Sequence, residues 1–177
     1  MEPFRVEPPP HDVHDLVRAA QRGDPAAMDA LMRELAPYVG RLCGAIALER
    51  GDDAVQETFI AVLRKLRDLR EPAALHGWVR RIAVREAVRV ARRDVRLAPD
   101  GVDRLADVPA ALPDLASALD VRAVLATLSP EHRAVLVLRD LDGLSEAEVS
   151  RLLDVPAGTV KSRLHRARAA AREVLSR

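Results

Sequence analysis

The residues best suited to chemistry lie in LSEAEVSRLLDVPAGTVKSRLHRARAAARE, residues 144–173. Lys161, Arg163, Arg166 and Arg168 carry permanent positive charge, and Thr159, Ser162 and His165 set short hydrogen-bonding groups among them. On a helix of about 100° per residue, Val160, Leu164, Ala167, Ala171 and Val174 share one side. Lys161, Ser162, His165, Arg168 and Arg172 share the other, with Arg166 on its flank. One face can be buried while the other meets a polyanion such as DNA in its major groove. Arg166 is long enough for a bidentate contact to guanine, and Ser162 and His165 can reach base edges. Lys161, Arg163 and Arg168 suit phosphates, and Thr159 near the helix start can join them. A basic amphipathic helix can also bind a partner protein or an anionic membrane. A membrane helix needs bulky apolar anchors, however, and this inner face is mostly Ala and Val.

Several elements must hold that helix in place. Pro156 starts it, and Ser145 with Glu148 predicts a capping box for the preceding helix, whose Val149 and Leu152 turn inward. Upstream, one helix carries Val121, Val124, Leu125 and Leu128. Another starts at Ser129-Pro130, holds Val135, Leu136 and Leu138, and stops at Gly143. In the N-terminal half a helix begins at Asp12 with Leu16, Val17 and Ala20 inward. Asp24 caps a second, with Pro25 in its first position and Met28, Leu31 and Leu35 on its apolar side. A third is expected from Val39 to Leu48, ending near Gly51. Asp53 and Gln56 have capping-box spacing for a longer helix whose predicted buried stripe is Val55, Phe59, Val62, Leu63 and Leu66. A turn from Arg70 to Gly77 leads to a basic helix, Trp78 to about Arg93, with Trp78 and Ile82 on one side.

The expected fold is all-α: two small helical domains joined by a flexible linker. Residues 1–11 form a Pro-rich, disordered N-terminus, 12–96 the first domain, 97–117 a Pro- and Asp-containing linker, and 118–177 the second domain. Aromatics are only 2% of the 177 residues, so the core is built from Leu, Val, Ile and Ala, which favours helix packing. Net charge is +1 but segregated: −5 over residues 1–60, +7 over 61–96, −4 over 97–120, −2 over 121–160 and +5 over 161–177. Two basic blocks predict two separate contacts with a polyanion. The single cysteine, Cys43, forbids an intramolecular disulfide, and MEPFRVEPPP has no apolar signal region. No run approaches 18 apolar residues, so no membrane insertion and a cytoplasmic location are expected.

At these residues the chain resembles the sigma-70 family of bacterial RNA polymerase initiation factors, in its short extracytoplasmic-function (ECF) form. LSPEHRAVLVLRDLDGLSEAEVSRLLDVPAGTVKSRLHRARAAARE resembles region 4, and its GTVKSRLHRAR core is the most specific part. GDPAAMDALMRELAPYVGRLC, DDAVQETFIAVLRKLRDL and GWVRRIAVREAVRVARR resemble, in order, the first helices, the polymerase-binding helix and the promoter-melting helix of region 2.

The resemblance implies that core RNA polymerase docks on the helix bearing Asp53, Gln56 and Glu57, groups suited to Arg-rich partners. Region 4 would read the minus-35 promoter element and also touch the polymerase flap. The melting helix would hold the opened minus-10 strand on Arg80, Arg81, Arg85 and Arg89, by binding energy alone. Trp78 would stack on a base or anchor the core. An anti-sigma factor is a candidate further partner. Arg85 departs from the Asn common at its place in the family, and the loop REPAALHG departs from the usual Gly/Asp/Ser-rich form. The minus-10 base preference is therefore not carried over. No cofactor, metal or catalytic activity is expected: His11 and His14 lack a third ligand, and His76, His132 and Cys43 lack partners at ligand spacing. The rival readings are a stand-alone helix-turn-helix regulator and a degenerate relative acting as a decoy.

Overall fold

The computed structural model describes residues 12–97 and 118–175. The expectations for the N-terminus and for the linker between Leu97 and Ala118 fall outside them. Among the described residues all regular structure is helical. The N-terminal bundle comprises α1 (Val13–Gln21), α2 (Pro25–Ala47), α3 (Gly51–Lys65) and α4 (Leu75–Leu97). The C-terminal bundle comprises α5 (Ala118–Ala126), α6 (Pro130–Leu136), a π-helical turn (Val137–Leu141), α7 (Glu146–Leu153) and α8 (Ala157–Leu175).

Helix caps form, those at Asp24 and Ser145 as the sequence predicts. Asp12 accepts from the His14 amide, and Asp24 accepts from Ala26 and Ala27 at 2.9 and 3.2 Å. These carboxylates satisfy amide donors that a helix start leaves unpaired. Ser145 and Glu148 form the reciprocal capping box of α7. The first domain's core is the apolar side of α2 (Leu31, Leu35, Val39, Ile46) against Val17 of α1, Val62 of α3 and Val79, Ala83, Ala87 and Val90 of α4.

Five expectations are corrected. The second and third helices are one, α2, which runs through Pro37. Pro37 removes a single bond to the carbonyl of exposed Arg33, which water can reach. The apolar spacing Leu31, Leu35, Val39, Leu42, Ile46 meanwhile continues without a break and outweighs that loss. The Asp53–Gln56 capping box does not form: α3 starts at Gly51 with no side-chain cap, and the Asp53 carboxylate takes Arg50 Nε at 2.6 Å. The buried stripe of α3 is Ala54, Thr58 and Val62, not one that includes Leu63, which is 49% exposed. Thr58 can be buried because its hydroxyl donates to the Ala54 carbonyl at 2.7 Å. Finally, α4 starts at Leu75, because buried Leu75 lies four residues before buried Val79 and extends its stripe by a turn. Val121, expected inward, is 53% exposed.

The two bundles touch. One apolar cluster runs from Val17 of α1 to Ala167 of α8, with α4 packed on α6 and α7 as well as on α2 and α3.

Cys43 sits where α2, α3 and α4 meet, its Sγ 3.7 Å from the Thr58 hydroxyl and 3.9 Å from the Ala83 carbonyl. Burial pushes its thiol up to about 11. The folded chain therefore holds this proton more tightly than the unfolded chain does. The resulting stability is complete below about pH 8.5, the ordinary thiol value, and is lost as pH rises towards 11. A maleimide or iodoacetamide at pH 8 should leave the native protein unmodified and label it stoichiometrically in denaturant. Rapid labelling of the native state would contradict this packing.

Candidate nucleic-acid interface

Helices α7 and α8 form a helix-turn-helix. The turn is closed by the Ser150 hydroxyl donating to the Val155 carbonyl at 2.6 Å. It also uses Asp154 in the left-handed region at φ 55°, which Asp tolerates better than most residues. Arg139 binds the Leu144 carbonyl and fixes the entry to α7. Behind the turn, Val149 packs into the cluster that holds Val160, Leu164 and Ala167, and Val174 is buried further along α8. The predicted inner stripe of α8 is therefore the one observed, with Ala171 half-buried at its edge.

The outer face divides into three parts. Ser162, His165 and Arg166 are exposed, and Arg166 makes no ion pair or hydrogen bond among the described residues. Ser162 Oγ donates to the Thr159 carbonyl at 3.0 Å, and Thr159 is half-buried. On one flank Lys161 and Arg168 border an apolar groove of about 740 Å³ floored by Val124, Leu125 and Leu164. Arg168 is held there by Asp140, at 3.1 and 2.5 Å. On the other flank Arg163 is half-buried and faces the N-terminal bundle.

In α4, Trp78, Ile82, Arg85 and Arg89 follow one another at three- and four-residue steps, so they share a stripe. Arg81 and Arg85 are exposed, whereas Trp78 and Ile82 are half-buried against the core, so Trp78 can anchor the helix and still show an edge. Arg89 binds Glu86 at 2.5 Å and Glu57 of α3 at 3.0 Å. Arg80 lies apart from the stripe, on the side facing the C-terminal bundle. The loop before α4 is fixed at its root. Gln21 Nε2 donates to the Leu66 and Leu69 carbonyls at 2.9 and 2.7 Å, and Leu69 and Pro72 are buried.

The three residues singled out on α3 do not stay together. Asp53 and Gln56 point to solvent, whereas Glu57 turns towards α4 to hold Arg89. The outward stripe instead continues through Ile60 and Leu63, 37% and 49% exposed. Their spacing of seven and ten residues from Asp53 could have revealed this. The capping-box assignment and the wish to bury every large apolar residue concealed it.

Sequence reasoning also missed a set of contacts between the bundles, which no local spacing encodes. Tyr38 of α2 donates to Asp142 Oδ2 at 2.8 Å and accepts from Arg80 Nε at 2.7 Å, while Arg80 Nε lies 2.9 Å from the same carboxylate. Burial pushes the Tyr38 phenol up to about 12, so it keeps the proton it donates. Arg92 of α4 pairs with Glu131 of α6, and Arg122 of α5 with Glu49 at 2.8 Å. Among the described residues, no group of three or more His, Cys, Asp or Glu is placed to hold a metal, and no helix is long and apolar enough to cross a membrane.

Residues 29–97 match the family model for sigma-70 region 2, and residues 118–170 match that for sigma-70 region 4. The chain is 37% identical to the ECF RNA polymerase sigma factor SigE of Mycolicibacterium smegmatis, over 88% of this chain and 65% of that protein. It is 31% identical to the ECF RNA polymerase sigma-E factor of Haemophilus influenzae, over 86% and 89% of the two chains. For SigM of Mycobacterium tuberculosis the figures are 32%, 88% and 80%. Two solved structures share the fold at 24% identity. One is CnrH in complex with the cytosolic domain of CnrY (TM-score 0.62; 93% of this chain, 98% of the other). The other is the sigma factor RpoE with the anti-sigma factor NepR from Bartonella quintana (TM-score 0.61; 81% and 95%). With regions 2 and 4 matched in order and relatives above 30% identity aligned over most of their length, the chain belongs to the sigma-70 family, among the ECF sigma factors.

Proposed function

We propose that this chain binds core RNA polymerase, recognises promoters at minus-35 and minus-10 elements, and directs transcription initiation in the cytoplasm. Residues 12–96 act as region 2 and residues 118–177 as region 4. Sigma factors regulate transcription rather than catalyse a reaction, and no residue is assigned a catalytic role. One observation carries the reading: a single chain holds a capped helix-turn-helix and, separately, a stripe of Trp78, Arg85 and Arg89 on α4 beside exposed Arg81. A stand-alone regulator needs only the first. An anti-sigma factor is a candidate partner, since RpoE of Bartonella quintana is bound by one.

In region 4, Arg166 reads a base, supported by Ser162 and His165, because it is exposed on the α8 face opposite the core and unpaired among the described residues. Lys161, Arg163, Arg168 and Thr159 serve the phosphates; Arg168 must exchange Asp140 for DNA to do so. The positive end of the α8 dipole adds to the attraction near Thr159. In region 2, Arg81 and Arg85 meet the opened strand directly, whereas Arg80 and Arg89 must first leave carboxylate partners. On α3, polymerase docks on Asp53, Gln56, Ile60 and Leu63, a stripe combining acidic and amide groups with an apolar contact. Glu57 acts behind it by orienting Arg89.

Two measurements test these roles. Leu63→Glu changes an exposed side chain, so the variant should fold. It should weaken capture by core polymerase about tenfold, roughly 1.4 kcal/mol, as loss of an interface anchor does. Glu57→Gln should leave capture near wild type, and the reverse ranking would remove α3's outer face from the interface. On promoter variants, Arg166→Ala should cost roughly 1–3 kcal/mol at one base position, whereas Arg168→Ala should weaken all sequences about evenly. An even loss for both would take base reading away from Arg166.

A further inference from the structure

Gln21 is the last residue of α1, and its side chain is used entirely on another part of region 2. Nε2 donates to the Leu66 carbonyl at 2.9 Å and to the Leu69 carbonyl at 2.7 Å, which occupies both amide hydrogens. These carbonyls lie where the chain leaves α3 through a tight helical turn, Leu66–Asp68. A helix end leaves such acceptors without partners, and here a side chain 45 and 48 residues away in sequence supplies one. The Leu66 carbonyl also accepts from the Leu69 amide, whereas that of Leu69 has only Gln21 among the described residues. Leu69 then turns to extended backbone, at φ −73° and ψ 103°, and the loop towards α4 begins.

The donor sits on a rigid corner. The Arg22, Gly23 and Asp24 amides return to carbonyls of α1, and the Asp24 carboxylate caps α2. The loop it reaches has a fixed inner side, because Leu69, Pro72 and Leu75 are buried. Its outer side shows Arg70, Glu71, Ala73 and His76, a cation, an anion and an imidazole around one small residue. The loop runs straight into the N-terminal end of α4, where Trp78 shows an edge and Arg81 and Arg85 are exposed. A strand lying on Trp78 and Arg85 meets that outer side as it passes the end of the helix. Arginines that hold phosphates carry no sequence information. Telling one base from another needs groups held within about 0.5 Å of a single geometry, which a loop obtains from the supports behind it. Helix α1 lies ahead of residues 29–97, the stretch that matches the region 2 model.

We propose that Gln21 is a positioning residue for base selection: by donating to the Leu66 and Leu69 carbonyls, it sets the shape in which loop 70–77 meets the opened minus-10 strand. The proposal rests on the minus-10 reading of α4. Without the two donations the loop shifts while α4 stays in place, since its inner side is buried against α2 and α3. The arginines still hold the strand, but one base is no longer told from another.

The test uses the full chain bound to core polymerase and a pool of single-stranded DNA randomised over a short window, with enrichment read position by position. Gln21→Glu keeps the shape of the side chain but offers only acceptors to the two carbonyls. It should flatten the preference at one position, the ratio of favoured to disfavoured base falling about five- to tenfold. The other positions and the capture of polymerase should stay as in the wild type. If Gln21→Glu fails to fold, Gln21→Ala, which removes the donors without adding charge, carries the same expectation. Gln21→Lys, which returns donors on a chain of similar reach, should keep the preference. Val39→Ala, a buried truncation on α2 outside these bonds, should lower Tm and leave the profile unchanged. A wild-type profile in the glutamate and alanine variants, or an even loss for every sequence, would overturn the positioning role. Equal flattening in Gln21→Lys or in Val39→Ala would overturn it too, by making shape or general softening decisive. A wild-type complex that enriched no sequence at all would instead remove the minus-10 reading of α4, and the proposal with it.

Discussion

Everything in this protein turns on the packing of α4. Its inner side, Val79, Ala83, Ala87 and Val90, is fully buried. Two of those four residues are alanines, which allow α4 close to the Cys43 region of α2, where Sγ reaches the Ala83 carbonyl. The same 23-residue helix presents Arg81, Arg85 and Arg89 elsewhere on its circumference and rests Arg80 and Arg92 on region 4. A helix has about 360° to divide, and here the core, the exposed arginines and the second region each take a sector. A change that rotated α4 by one residue would therefore disturb the core, the exposed arginines and the contacts with region 4 together.

That division explains which parts of the site could be read from sequence. Features that depend on neighbours along the chain were legible: the capping box of Ser145 and Glu148, the Asp24 cap with Pro25, and the alternation of apolar and basic residues along α8. Features that depend on tertiary choice were not. The α3 stripe Val55, Phe59, Val62, Leu63 is as regular as the observed Ala54, Thr58, Val62. Only the nearness of α2 and α4 favours the set with small residues and a self-satisfied threonine. Pro37 shows the opposite case: its local penalty is real, but it falls on a solvent-facing carbonyl in a helix held by its buried side.

The roles of the arginines show the same limit. Arg80, Arg81, Arg85 and Arg89 are equivalent as a list of charges, yet each has a different neighbour. Arg80 has a phenol and a carboxylate from two other elements, and Arg89 has Glu57 and Glu86. Glu57 belongs to α3 by sequence and to the basic stripe of α4 by contact. No spacing rule predicts the pairs Arg89–Glu57 and Arg80–Asp142, whose members lie 32 and 62 residues apart.

The charge segregation visible in the sequence acquires a second meaning from these contacts. The +7 block of residues 61–96 suits a polyanion, and the −2 block of 121–160 supplies carboxylates that meet it within the same chain. Two carboxylates can satisfy α4 when nothing better is present. An opened DNA strand would offer one phosphate per about 3.4 Å and release counterions on binding, a gain that two side chains cannot match.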